Sequence, residues 1–203
     1  MIKEIRLQNH GVLTTQVPQD ILSNITDDIN KLNNSSNFVK HLQAANTTLV
    51  GQIEEEYNFT PKNEFIDFLN SFYKNYCDHF SLEYKKPYHK DIWVNLQKKT
   101  EYNPAHYHPN CLMSWVLWVK IPYNFSDENS IPSSIRANAK FNGKFTFIFS
   151  ELNGSINIKP IDEEFYREGS IILFPSFLYH NVYPFYTSNE LRISLAGNFI
   201  HGN

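Results

Sequence analysis

The sequence is short of cysteine, glycine and charge, and each shortage removes a class of protein. Its two cysteines, Cys77 and Cys111, form no CxxC spacing, which argues against a disulfide framework or a zinc ribbon; both read as buried thiols. Seven glycines in 203 residues are far fewer than a collagen-like or low-complexity chain carries. Charged residues make up 19%, and 18 basic against 21 acidic side chains leave a net charge of −3. That balance offers no basic footprint for a polyanion, so duplex nucleic acid is not the expected partner. No apolar run approaches the roughly 20 residues that span a bilayer, and the opening MIKEIRLQNHGV has no signal-peptide core. A soluble, cytoplasmic protein without a membrane partner is expected. Without a secretory signal, the Asn-x-Ser/Thr sequons at Asn24, Asn34, Asn46, Asn58, Asn124 and Asn153 carry little meaning.

What the chain does have is apolar mass, 41% hydrophobic and 15% aromatic residues, enough for one substantial core but not for two catalytic domains. One domain over 1–203 is expected, with a helical buttress over 1–90 and a strand-rich core over 91–203. After a short strand near Val12 to Val17, Pro18 opens a segment whose Ile21, Leu22, Ile25, Ile29 and Leu32 share a helical face. A second helix, over about 61–80, places Phe65, Phe68, Leu69, Phe72 and Tyr76 on one side, a stripe that reads as packing against a sheet. Asn33 to Asn46, between them, is polar and loop-like.

From Asp91 the period changes to two. Trp93, Asn95 and Gln97 alternate with Ile92, Val94 and Leu96, and Leu112 to Ile121 is a long apolar run. Phe145, Phe147 and Phe149 alternate with Lys144, Thr146 and Ile148. Further strands are expected at Ser155 to Ile158, Ser170 to Phe174, around Val182 to Phe185, and at Leu191 to Phe199. Seven or eight short strands without helical crossovers predict a mainly β fold with flanking helices, a sandwich or jelly roll. Asn124 to Asn142 is the longest stretch without a period, and a loop of that length is a candidate lid for substrate entry.

Among eight histidines, His10, His41, His79, His89 and His201 have no partner at ligand spacing. His106 and His108 differ, because in Pro104-Ala105-His106-Tyr107-His108-Pro109 an extended backbone sends both imidazoles to one side. Two such rings at a strand's mouth make a metal platform. His180, after the apolar strand Ile171 to Phe174 and the turn Pro175-Ser176, is placed to supply a third ligand. Twelve residues on, Arg192 and Ser194 share a face of an apolar strand. A cation on an inner sheet face needs an anion; a ligand carboxylate gripped bidentately fits, and a salt bridge to Glu190 or another surface acid is the alternative.

The segment GSIILFPSFLYHNVYPFYTSNELRISLAGNF resembles the C-terminal half of the Fe(II)- and 2-oxoglutarate-dependent oxygenases. There a glycine-led strand ends in a Phe-Pro turn, the distal metal histidine follows, and an Arg-x-Ser strand grips the co-substrate. IWVNLQKKTEYNPAHYHPNCLMSWVLWVKIP resembles the metal-binding half, especially in small family members from marine bacteria and tailed phages. The similarity covers about residues 91–200 and, more weakly, LVGQIEEEY at Leu49 to Tyr57. It implies a double-stranded β-helix, the cupin-like jelly roll. It also implies Fe(II) held by His106, His108 and His180, and 2-oxoglutarate anchored by Arg192 and Ser194. Asn95 and Gln97 would contact 2-oxoglutarate or substrate, unless they are ordinary sheet residues. With O2 the products would be succinate, CO2 and a hydroxylated substrate, a small molecule or a peptidyl side chain.

One departure from the family pattern stands out: the usual carboxylate ligand is replaced by His108. If His108 instead begins the motif, Asn110 takes the carboxylate position, but an amide oxygen is a poorer ligand than imidazole. Trp118, Tyr107 and Tyr183 are candidate pocket residues, with core packing the better reading for Trp118. A three-histidine cupin-type dioxygenase that uses no 2-oxoglutarate, and a non-catalytic jelly-roll binding protein, are the other classes this pattern allows. Homo-oligomerisation is left open.

Overall fold

The computed structural model describes residues 11–34, 45, 49–151 and 153–200. The polar stretch expected to be a loop before Asn46 lies mostly outside them, as do His10, His41 and His201. In chain order the elements are β1 (Leu13–Gln16), α1 (Gln19–Asn34), β2 (Glu56–Asn58), α2 (Asn63–His79), β3 (Tyr88–Gln97), β4 (Asn103–His106) and β5 (Met113–Lys120). They continue with α3 (Phe125–Ser130), β6 (Phe145–Ser150), β7 (Ile156–Pro160), β8 (Ser170–Pro175), β9 (Tyr179–Val182) and β10 (Arg192–Ile200). Every pairing is antiparallel. The strands form a six-stranded sheet, β1-β8-β5-β10-β3-β2, and a four-stranded sheet, β4-β9-β6-β7. Two antiparallel sheets with few helices are therefore present, the arrangement of an open double-stranded β-helix.

The larger sheet is buried on both faces, which explains why β5 reads as a continuous apolar run instead of alternating. On its outer face Val94 and Leu96 of β3, Trp115 and Leu117 of β5, Leu195 of β10 and Leu173 of β8 pack against Phe65, Leu69, Phe72 and Tyr76 of α2 and Ile25 and Ile29 of α1. Phe65 meets Trp115 edge-on at 5.5 Å between ring centroids. The helical stripe at offsets of three and four is thus core. Between the sheets lies a second cluster, with Trp118, Phe145, Phe147, Tyr166, Ile172 and Phe174 at its centre.

Register on the inner face sets the chemistry. Asn95 lies opposite Glu56 of β2 on one side and Ser194 of β10 on the other. Ser194 in turn lies opposite Trp118, and Arg192 opposite Gln97. The edge strands β1 and β2 come from the front part of the chain, so that region contributes sheet as well as helix. β4 contains Pro104 and sits at a sheet edge, where a missing N–H is tolerated. β9 ends at Val182, three residues earlier than its expected limit.

Asn124 to Asn142 is not a bare loop. It begins with α3, whose buried Glu128 carboxylate accepts the backbone N–H groups of Tyr186 and Thr187 at 2.7–3.0 Å and the Thr187 hydroxyl at 2.6 Å. None of its residues lines the cavity that lies between the two sheets, and its helical start is pinned to the Tyr186–Thr187 backbone. Both cysteines are free and buried. Among the described residues no helix is long and apolar enough to cross a membrane.

Candidate metal centre and cavity

A cavity of about 320 Å³ lies between the two sheets, and His106, His108 and His180 line it together with Asn95, Ser194 and Arg192. The three histidines offer ring nitrogens that all lie within 4.8 Å of one another, close enough for small ring movements to bring them onto one ion with bonds of about 2.1 Å. Two strands create this convergence. His106 at the end of β4 is the direct cross-strand partner of His180 in β9, which puts their ring centroids 4.2 Å apart. His108 lies past the end of β4. Its position comes from its own N–H, donated to the Ser176 carbonyl at 2.8 Å, rather than from strand alternation. Ser176 is buried, and its hydroxyl meets that of Ser114 at 2.9 Å, which donates to Asn198 Oδ1 at 2.7 Å.

Hydrogen bonding selects the nitrogen that faces the centre. His106 Nδ1 bonds the Pro104 carbonyl at 2.8 Å and His180 Nδ1 bonds the Leu178 carbonyl at 2.9 Å. A carbonyl can only accept, so Nδ1 carries the proton in both rings and Nε2 keeps its lone pair. Burial lowers all three pKa values. His108 is pushed down to about 4, with His106 and Lys90 adding to the shift, and His180 falls well below the usual range. Neutral imidazoles with fixed lone pairs are the form in which histidine binds a metal. The donor set therefore fits a divalent transition metal. Asn110 is exposed, in a turn with φ 62°.

Arg192 is 2% exposed, and no carboxylate among the described residues pairs with it. Its Nε and one terminal nitrogen donate to Gln97 Oε1 at 3.0 and 2.6 Å. The remaining contacts are to the Tyr123 hydroxyl at 2.7 Å, the Gly143 carbonyl at 2.9 Å, the Tyr183 carbonyl at 3.2 Å and the Tyr166 hydroxyl at 3.3 Å. The alternative partner Glu190 binds Lys120 instead, at 2.6 Å. The guanidinium also lies over the rings of Phe185 and Tyr123, 5.4 and 5.8 Å from their centroids, so a buried, always protonated group is held by neutral oxygens and aromatic faces, without a carboxylate. Asn95 donates to the Ser194 hydroxyl at 3.0 Å. Gln97 belongs to the Arg192 cradle, and Trp118 both packs in the core and lines the cavity. Tyr107 lines the cavity with its ring 4.8 Å from that of Tyr179, whereas Tyr183 meets the site through its backbone carbonyl.

Three participants had not stood out as site residues in the sequence. Tyr123 and Tyr166 complete the Arg192 cradle, and Glu56 of β2 lines the cavity with 1% exposure. Burial, helped by the charge of Glu101, raises the Glu56 carboxyl to about 7.

A three-nitrogen centre in a cavity between two antiparallel sheets defines a non-haem metal-binding protein. The family described as "Putative 2OG-Fe(II) oxygenase" matches residues 91–198, more than half of the chain, and the chain belongs to that family. The match is to the family at large and singles out no group of marine-bacterial or phage members. Among solved structures, a prolyl-4-hydroxylase from Pseudomonas putida aligns with a TM-score of 0.61 at 12% identity, covering 96% of this chain and 94% of that one. AviO1 from Streptomyces viridochromogenes Tue57 aligns at 0.58 and 9% identity, covering 96% and 91%. The viral collagen prolyl hydroxylase of Paramecium bursaria Chlorella virus-1 aligns at 0.52 and 15%, covering 94% and 96%. At these identities the likeness is one of fold. No curated protein matches the sequence.

Proposed function

We propose that this chain is a non-haem iron oxygenase on an open double-stranded β-helix, with His106, His108 and His180 as its iron ligands and 2-oxoglutarate as its co-substrate. The observation that carries the iron assignment is the convergence of three neutral ring nitrogens in the cavity, two of them fixed by Nδ1 bonds to backbone carbonyls; the buried Arg192 without a carboxylate supports 2-oxoglutarate. Bound there, Fe(II) would supply the redox chemistry with O2 that converts 2-oxoglutarate to succinate and CO2 and hydroxylates a substrate C–H bond.

The chain's own residues do the positioning. The carbonyls of Pro104 and Leu178 hold two imidazoles in the ligating tautomer. Phe145 stacks on His180 at 5.4 Å and Phe174 meets it edge-on at 4.9 Å, excluding water from that side. Arg192 and Ser194 anchor the far carboxylate of 2-oxoglutarate, whose charge offsets a guanidinium that has no anionic partner among the described residues. Asn95 orients Ser194.

A second reading, a three-histidine dioxygenase that uses no 2-oxoglutarate, has a specific observation in its favour: all three Arg192 nitrogens already have neutral acceptors. One experiment separates the two. Anaerobic Fe(II)-loaded protein titrated with 2-oxoglutarate is expected to develop visible charge-transfer absorption, and O2 uptake is expected to depend on added 2-oxoglutarate. Uptake independent of 2-oxoglutarate establishes the second reading. Absence of both signals leaves the fold as a binding scaffold.

A further inference from the structure

Glu56 and Asn95 lie directly opposite one another across the β2–β3 pair, and both line the cavity. Glu56 is 1% exposed and Asn95 6%. Among the described residues Glu56 Oε2 and Asn95 Oδ1 have no hydrogen-bond partner. Asn95 spends an Nδ2 hydrogen on Ser194, so the amide atom left without a partner is its acceptor. Among the described residues, Lys98 pairs with Glu54 and Glu55, at 2.6 and 3.2 Å, and Arg192 is held by neutral oxygens and two aromatic rings. Two buried acceptors side by side, one of them a carboxyl oxygen, thus have no donor among the described residues, a state that native interiors rarely leave unanswered.

We propose that Glu56 and Asn95 form a subsite for a cationic N–H donor, an ammonium or guanidinium group, carried by the substrate. The assignment rests on the reading of this cavity as the substrate pocket, and it narrows the substrate to a class. Gly51 keeps the subsite open: a Cβ at that position would lie 2.5 Å from Glu56 Oε1 and 2.6 Å from Asn103 Oδ1, so any side chain there would push into the carboxyl. Trp93 lies on the same face, one inward position along β3 from Asn95, and offers an aromatic wall to a cation. The elevated Glu56 pKa is what a buried carboxyl without its counter-ion shows, and a bound cation would reverse it.

The test needs neither iron nor oxygen, so its failure is distinct from failure of the oxygenase reading. The full-length ¹⁵N-labelled chain is titrated separately with methylammonium chloride, methylguanidinium chloride and neutral acetamide, following the side-chain amide of Asn95. At least one cation is expected to saturate with a Kd of about 1–10 mM, acetamide is expected not to, and Glu56→Gln is expected to weaken cation binding by about tenfold or more. Asn95→Ala, read on the Gly51 amide, is expected to weaken it independently. The comparison of the two cations identifies which head group fits. No saturation with either cation up to about 50 mM, or equal affinity in Glu56→Gln and the parent, overturns the assignment and leaves a merely hydrated polar pocket.

Discussion

The two faces of the six-stranded sheet obey opposite rules. On the outer face of β3 and β10, Val94, Leu96 and Leu195 are almost wholly buried against helices, and what they contribute is burial and fit. On the inner face of the same strands stand Asn95, Gln97, Arg192 and Ser194, side chains whose burial is unfavourable without partners. Adjacent residues of one strand therefore belong to two economies: Leu195 secures the fold, and Ser194, one step away, serves the cavity. The difference teaches where substitutions should separate stability from binding.

The largest separation is expected at the metal centre. His180→Ala should lower Fe(II) affinity by more than about a hundredfold, beyond the 10–100-fold effect typical of residues that only support a ligand, while the circular-dichroism spectrum is retained. Leu195→Ala should do the reverse: a fully buried leucine truncated in a close-packed layer costs about 2–5 kcal/mol, readable as a drop in the urea midpoint, with iron stoichiometry unchanged in the folded protein. At Arg192 the guanidinium fork matters as well as the charge. Arg192→Lys should weaken 2-oxoglutarate binding by about tenfold in an anaerobic calorimetric titration and leave iron binding intact.

Glu56 supplies a smaller, pH-dependent contrast. Its carboxyl titrates near 4.5 in the unfolded chain and near 7 in the folded one, so between those values the folded protein holds the proton more tightly. That stabilising contribution is present at low pH and is lost as the pH rises through about 7. Glu56→Gln should therefore melt higher than the parent at pH 8 and show no such gain at pH 4. Glu101, the acid that adds to the shift, remains in both proteins. The smallest effect is expected at the exposed Lys120–Glu190 pair, where Lys120→Ala should leave both melting temperature and iron affinity unchanged, as isolated surface pairs generally do.

Much of this arrangement could be read from the chain itself. The period-two alternation of Trp93 to Gln97 separated the cavity face from the helix face, the stripe on α2 identified its buried side, and His106, His108, His180 and Arg192 were recognisable by type and spacing. Other parts depended on distant contacts that local pattern does not encode. β2 is three residues that begin at the end of the charged Glu54-Glu55-Glu56 run, and only its pairing with β3 turns Glu56 inward. β4 carries a proline and gains its strand character from β9. His108 owes its position to Ser176, 68 residues away in sequence by simple subtraction, and the Arg192 cradle draws Tyr123 and Tyr166 from separate loops. Local periodicity reports which face a residue shares with its neighbours along the chain, whereas these partners are set by register between strands.

The central claim is that three histidines, and not an Asn110 register, hold the iron. Anaerobic Fe(II) titration of the parent beside His108→Ala and Asn110→Ala tests it most directly. One iron per chain is predicted for the parent and for Asn110→Ala with the same affinity, and a loss of more than about a hundredfold for His108→Ala. Parent-like iron binding by His108→Ala, with the loss appearing in Asn110→Ala instead, would contradict it.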